Sequence, residues 1–213
     1  MFAKLNTAFA MSPVRQPEQT RLKILETALG LFHRGSFTAT SVNQIVAEAG
    51  ITKGALFHHF KGKNELGYAV IDELLGAKIL EHWVKPLADT ADPISDIVAV
   101  IQGFSKEFDE DPESVTCGCP LNNMSQELST VDEVFREKFG AIYSQWETAI
   151  ENAIRAGIEA GKVRKDVDPA SFASMFVALL EGSIGMLKVS RSREHMDRLG
   201  GGIITILEGM RPV

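Results

Sequence analysis

Two short stretches hold the side chains best suited to chemistry. The first runs from Thr40 to Lys63. Lys53, Lys61 and Lys63 supply fixed positive charge, His58 and His59 add polar rings, and Phe57 adds an apolar surface. That mixture fits a polyanion: ammonium groups meet phosphates, and an aromatic face suits a thymine methyl. Gly54 and Ala55 leave the same segment bare of bulk, as close approach of a helix N-terminus to a phosphate or base edge requires. The second stretch is Cys117-Gly-Cys119-Pro-Leu-Asn-Asn. A Cys-X-Cys pair can chelate a soft metal or oxidise, but no nearby Cys or His completes a tetrahedral set. No metal and no cofactor is therefore expected. Cys119 stands just before an expected helix, where the positive end of the backbone dipole favours a thiolate. No histidine or carboxylate is placed beside it in the sequence to activate it for turnover.

These residues need helices to position them, and the hydrophobic spacing is helical throughout. Leu22, Leu25, Leu29 and Phe32 mark a first helix, stopped by Gly35. Ser41 and Gln44 form a capping-box pair ahead of Val42, Ile45, Val46 and Ala49. Gly50-Ile51-Thr52 makes a three-residue turn, with Gly50 supplying the positive φ and Thr52 the next N-cap. Lys53 to about Phe60 is the third helix, and a longer one covers about Asn64 to His82. Two short helices joined by a glycine turn have helix-turn-helix proportions. A linker is expected over Pro86 to Pro93, then a helix to Phe108, an acidic loop over Asp109–Glu113, and a short helix over Leu121 to Leu128. Long helices follow over Val131 to Ala160 and Ala170 to Ser190, with a last one from Glu194. The fold expected is all-α, of about nine helices and no strand.

Leu22 to Leu66, above all the run Thr40-Ser-Val-Asn-Gln-Ile-Val-Ala-Glu-Ala-Gly-Ile-Thr-Lys-Gly-Ala-Leu-Phe-His-His-Phe60, resembles the DNA-binding signature of the TetR/AcrR family of bacterial transcriptional regulators. The resemblance implies a homodimer, usually a repressor, whose third helix enters the major groove of a palindromic operator and which a small molecule releases. By position it places Thr52, Lys53, Gly54 and Ala55 at the start of the recognition helix. It places His58 at a base- or backbone-contacting position, His59 facing a phosphate, and Lys63 at a phosphate-binding lysine. Ser41 and Gln44 would lie beside the DNA backbone. Phe57 falls where the family usually carries a tyrosine, so the hydroxyl contact of that position is lacking. The Gly-Cys-Pro-Leu-Asn-Asn segment resembles a subgroup with electrophile-sensing repressors of the N-ethylmaleimide-reductase type, in which the residue matching Cys119 is reactive.

Charge supports the division of labour. Residues 1–65 carry 8 Lys+Arg against 4 Asp+Glu, and residues 66–213 carry 14 against 24, so a balance of +4 meets one of −10. A basic third suits an acidic partner, and the acidic remainder argues against a protein that coats DNA without sequence preference. That coating protein, and a thiol-based enzyme using Cys119, are the alternatives to a non-enzymatic regulator. In the larger part, Phe104, Phe108, Asn122, Phe139, Tyr143, Trp146 and Phe176, with Cys119, are candidates for a ligand pocket. Glu181 sits in a very apolar helix and needs a partner or an exposed position. Gly182 and Gly185 are spaced for close helix approach. Gly200-Gly201-Gly202 either breaks the last helix or marks tight packing at an interface. The domains expected are a flexible tail over 1–19, a helix-turn-helix domain over 20–65 and a ligand-binding and dimerisation domain over 66–213. Pro13 and Pro17 are expected to bar helix before Thr20, and Met11 is a second candidate start. With no export signal or membrane-length apolar run, the cytoplasm is the expected compartment.

Overall fold

The computed structural model describes residues 16–212; Met1, Met11 and Pro13 lie outside the described residues. Each of the nine expected helices is present, together with one short extra helix: α1 (Gln16–Arg34), α2 (Val42–Ala49), α3 (Lys53–His59), α4 (63–87), α5 (Pro93–Glu110), α6 (Pro112–Thr116), α7 (Pro120–Leu128), α8 (Glu133–Glu159), α9 (Pro169–Ser190) and α10 (Arg193–Glu208). No strand occurs among the described residues.

Several boundaries move, each for a local reason. Pro17 does not bar helix before Thr20: it sits in the first turn of α1, where its missing N–H costs nothing. Helix α4 runs on through Pro86 to Leu87, with π-helical turns at Ile71–Leu75 and Leu80–Val84. The acidic stretch over Asp109–Glu113 is not one loop. Its first residues finish α5, and Pro112 starts α6 as an N1 proline. Asp92 and Asp168 cap α5 and α9 by accepting from Ser95 N (3.3 Å) and Ser171 N (2.8 Å). Gly200–Gly202 does not break α10, which is continuous from Arg193 to Glu208.

The chain divides into two compact units, one of 16–77 with 120–140 and one of 78–119 with 141–212. A single cut after residue 65 therefore misses part of the first unit. Helix α7 and the start of α8 return to it from far along the chain, a long-range arrangement that no local spacing encodes. In the first unit, Ile24, Leu25, Ala28 and Phe32 of α1 are buried with Ile45, Ala49, Leu56, Phe60 and Leu66. Gly67 is a close-approach position: a Cβ there would lie 2.7 Å from Phe37 and 2.8 Å from Phe135. In the second unit, Trp83, Ile94, Ile97, Ile101, Trp146, Ile150, Ile154, Phe172 and Phe176 are buried. Helix α9 is long and apolar enough, by length and averaged composition, to cross a membrane, although no uninterrupted apolar run of that length exists. Phe172, Ala173, Phe176, Val177, Leu180 and Leu187 bury its inner face. Its other side leaves Met175, Gly182, Gly185, Met186 and Val189 exposed.

Candidate nucleic-acid interface and effector cavity

The helix-turn-helix is built as its residue types dictate. Ser41 Oγ accepts from Gln44 N at 3.2 Å, and Gln44 Oε1 accepts from Ser41 N at 2.7 Å, so the capping box closes. Gly50 adopts φ 63° and ψ 40°, the left-handed conformation that ends α2 cheaply. Thr52 Oγ1 accepts from Ala55 N at 3.1 Å and caps α3. Leu56 and Phe60 anchor α3 in the core, and its opposite side stays open: Thr52, Lys53, Gly54, Phe57 and His58 are all exposed. Ala55 and His59 are half-buried. A Cβ on Gly54 would meet nothing nearer than Thr52 Oγ1 at 3.8 Å, so no intramolecular contact demands glycine there. The His58 and His59 rings meet edge to face at 5.2 Å. Burial, then the neighbouring charges of His58 and Arg21, hold His59 below the ordinary imidazole value. The imidazole of His59 is thus mainly neutral near pH 7, and it can donate or accept a hydrogen bond without carrying full charge.

Lys63, an expected phosphate ligand, is engaged within the fold. Its Nζ donates to Phe37 O (3.0 Å), Thr38 O (3.3 Å) and Thr40 O (3.0 Å), and it lies 4.6 Å from the Phe37 ring centroid. An ammonium has three donors, and the loop between α1 and α2 takes all of them. Lys63 is thereby a fastening of that loop, and any phosphate must compete with three carbonyls. Glu127 of α7 fastens the same loop from the other side by accepting from Phe37 N (2.9 Å) and Thr38 N (2.6 Å). Burial pushes this carboxyl up, but the bonds from Thr38 and Phe37 and the charge of Lys63 outweigh it, so it sits below its ordinary value. Sequence reading missed Glu127. Nothing in its local spacing links residue 127 to residue 37.

The second unit contains a cavity of about 610 Å³ counting its open mouth. Ile101, Phe104 and Ser105 of α5 line it with Val115 and Gly118, with Leu180, Ser183, Ile184 and Leu187 of α9, and with Met196, Leu199, Gly200 and Ile203 of α10. The two serines bring the polar side chains of this lining. Gly200 is part of this lining, and a Cβ there would meet Ile101 at 3.9 Å, an ordinary contact.

The candidate ligand residues separate. Phe104 lines the void and lies 6.3 Å from Trp83, which also contacts Trp146 (5.2 Å) and Phe176 (6.0 Å). Phe108 packs with Val115, Leu187 and Met196 beside it. Tyr143 is half-buried on α8 in the same unit but does not line the void. Asn122 and Phe139 belong to the first unit and are not brought to this cavity: Phe139 stacks on Phe135 at 6.1 Å, and the Asn122 carbonyl accepts from Ser125 Oγ at 3.0 Å. Most of the lining was not singled out from sequence, because aliphatic residues at i, i+3 and i+4 read as ordinary core.

Cys119 immediately precedes α7, as expected, but it is buried. Its polar neighbour is the Glu181 carboxyl. Glu181 is itself only 6% exposed, and no hydrogen bond of normal geometry reaches either carboxylate oxygen. The thiol is a weak donor. Burial pushes the Glu181 carboxyl up to about 7, slightly offset by that thiol. Trp146 Nε1 is likewise buried without a hydrogen-bond partner.

Residues 24–70 match the family model for bacterial regulatory proteins of the tetR family, and residues 93–201 match the tetracyclin repressor-like C-terminal domain. The HTH-type transcriptional repressor DhaR of Mycobacterium sp. (strain GP1) is 25% identical over 210 residues, covering 95% of each chain. Among solved structures, E. coli NemR in its reduced form superposes with a TM-score of 0.75 at 21% identity, covering 88% of this chain and 96% of that one. The SmeT–triclosan complex superposes with a TM-score of 0.71 at 25% identity, covering 90% of each chain.

Proposed function

Because the chain belongs to the TetR family of DNA-binding transcriptional regulators, we propose that it is a homodimeric repressor, working in the cytoplasm, which an apolar small molecule in the α5–α9–α10 cavity releases from a palindromic operator. The observation that carries the DNA-reading role is the open side of α3. Thr52, Lys53, Gly54, Phe57 and His58 are exposed there, on a helix that Leu56 and Phe60 fix in the core. Lys53 is assigned to phosphate or to a guanine edge, and Gly54 and Ala55 to close approach. Phe57 is assigned to an apolar base surface, and His58 and His59 to hydrogen bonds. Ser41 and Gln44 are assigned to the DNA backbone through whatever donor capacity their capping box leaves. Lys63 is assigned to holding the loop rather than to phosphate.

The exposed face of Met175, Gly182, Gly185, Met186 and Val189 on α9, beside exposed Ile206 on α10, is the surface assigned to the partner subunit. Apolar residues around glycines let helices of two subunits pack closely, and a two-fold axis there gives two recognition helices for a two-fold operator. The complex of SmeT with triclosan supports a small-molecule effector. Release through Cys119 is the weaker reading, since that thiol is buried.

The test is selection of operator fragments from genomic DNA, followed by anisotropy titration of the purified protein across salt. Wild type should bind one palindromic family at least about 10³-fold tighter than random duplex. Lys53→Ala should lower affinity and relax the sequence preference. Uniform, salt-steep binding to all duplexes would instead support the non-specific alternative.

A further inference from the structure

The second unit carries a buried acid that its own fold does not use. Both oxygens of Glu181 lack a hydrogen bond of normal geometry, although the residue is 6% exposed. It stands behind the wall of the cavity rather than in the lining itself. Leu180, Ser183 and Ile184 on its own helix line the void, and so does Gly118, the residue before the thiol that Glu181 meets. A buried carboxyl without a partner is expensive, and what would satisfy it is a donor or a positive charge.

The outer approach points to the positive charge. Phe104 is shared between the inner void and a surface groove whose rim carries Glu81, Glu107, Glu110 and Asp111 against His82 and Lys106, with Glu81 paired to Lys85 and Glu110 to Lys106. An acidic rim in a unit of negative balance concentrates cations at the mouth. The inner void, with two hydroxyls as its polar side chains, accepts an apolar body.

We propose that this cavity takes a hydrophobic amine, its apolar body in the void and its ammonium on the Glu181 carboxylate. The proposal rests on the reading of the second unit as the effector-binding part and gives that effector a chemical class. The rim carboxylates steer the cation inward without holding it in the bound state. Glu181 selects amine over neutral analogue, and the ammonium supplies the charge-assisted hydrogen bond that the carboxylate lacks.

The test is calorimetric titration of the full chain at about pH 8, where the carboxyl is mostly ionised, with 4-phenylbutylamine and its neutral counterpart 4-phenylbutanol. Trp83 and Trp146 fluorescence gives a second readout. Wild type should bind the amine at least about tenfold tighter than the alcohol, the scale of one hydrogen bond to a charged group. Glu181→Gln and Glu181→Met should each bring the two affinities to within about twofold of one another. Helical circular dichroism shows which of the two variants is folded. Equal affinities in wild type, a preference that survives in the folded variants, or no binding of either compound overturns the proposal. Release of DNA is scored separately on selected operator fragments. An amine that binds through Glu181 but leaves the DNA bound supports the site and overturns the effector reading alone.

Discussion

Replacing Glu181 by glutamine should change the pH dependence of stability in a calculable way. Burial raises the carboxyl from 4.5 to about 7, so the folded state holds this proton more tightly than the unfolded chain. Between these two values the native state binds more protons, and its stability falls as pH rises. Below about 4.5 the carboxyl is protonated in both states and imposes no ionisation penalty. Above about 7 the penalty is complete, at about 3 kcal/mol using 1.36 kcal/mol per pH unit. Glutamine has nearly the same shape and cannot ionise. Its own unsatisfied amide adds a fixed term that cancels when two pH values are compared. The assay is urea unfolding of wild type and Glu181→Gln at matched protein concentration, because the apparent stability of any self-associating chain depends on concentration. The variant should gain about 3 kcal/mol on wild type between about pH 4.5 and about pH 8. For a chain of this size that corresponds to roughly 6–12 °C in Tm. Parallel stability curves over this range would refute the argument that the carboxyl is buried without an ionic or hydrogen-bonded partner.

Other substitutions separate fastening from reading. Glu127→Gln should lower stability by about 1–2 kcal/mol at neutral pH by weakening the charged acceptor of Phe37 N and Thr38 N. The native carboxyl is held below 4.5, so its contribution is full above that value and disappears as pH falls through the folded value. The two urea curves should therefore converge in acid. Lys63→Met should cost about 2–3 kcal/mol by stripping three carbonyls of their donor. At a temperature where the variant is folded, it should leave the salt slope of DNA binding unchanged. Lys53→Ala should do the reverse, leaving Tm nearly constant and reducing that slope by about one. Gly54→Ala should raise stability by up to about 1 kcal/mol, since space is open at the Cβ position, while weakening operator binding in anisotropy.

The fold was largely legible because its signals are local. Leu22 to Phe32, Val42 to Ala49 and Phe135 to Ile154 declare helices by spacing alone. Ser41, Gly50 and Thr52 declare their own boundaries, and each does what its side chain or its absence predicts. The open face of α3 was legible for the same reason: a seven-residue helix with Leu56 inward must turn Gly54 and Phe57 away, and Lys53 is exposed as its first residue. Lys63 and Glu127 were not legible, because their roles depend on carbonyls and amides of residues 37–40. The cavity of the second unit was half-legible. Aromatic residues attracted attention, but Ile101, Leu180, Ile184 and Ile203 shape the void, and Asn122 and Phe139 pack in another unit.

Comparison of three carboxylates shows why Glu181 calls for an external explanation. Asp92 accepts from Ser95 and from Arg211 at 3.0–3.1 Å, so its half-burial is returned as helix capping and a tie to the C-terminal end. Glu127 gains two backbone N–H groups. Both are held below the ordinary carboxylate range even though burial alone pushes the other way. Glu181 is more deeply buried than either, and it is displaced in the opposite direction because the fold gives it only a thiol. Leucine or methionine at 181 would fill the same space between Val177 and Ile184 without that penalty. A position that forgoes about 3 kcal/mol at neutral pH and gains only a weak thiol donor inside the fold is explained by a bond made to something that enters from outside. The apolar void and acidic approach beside it fit a hydrophobic cation.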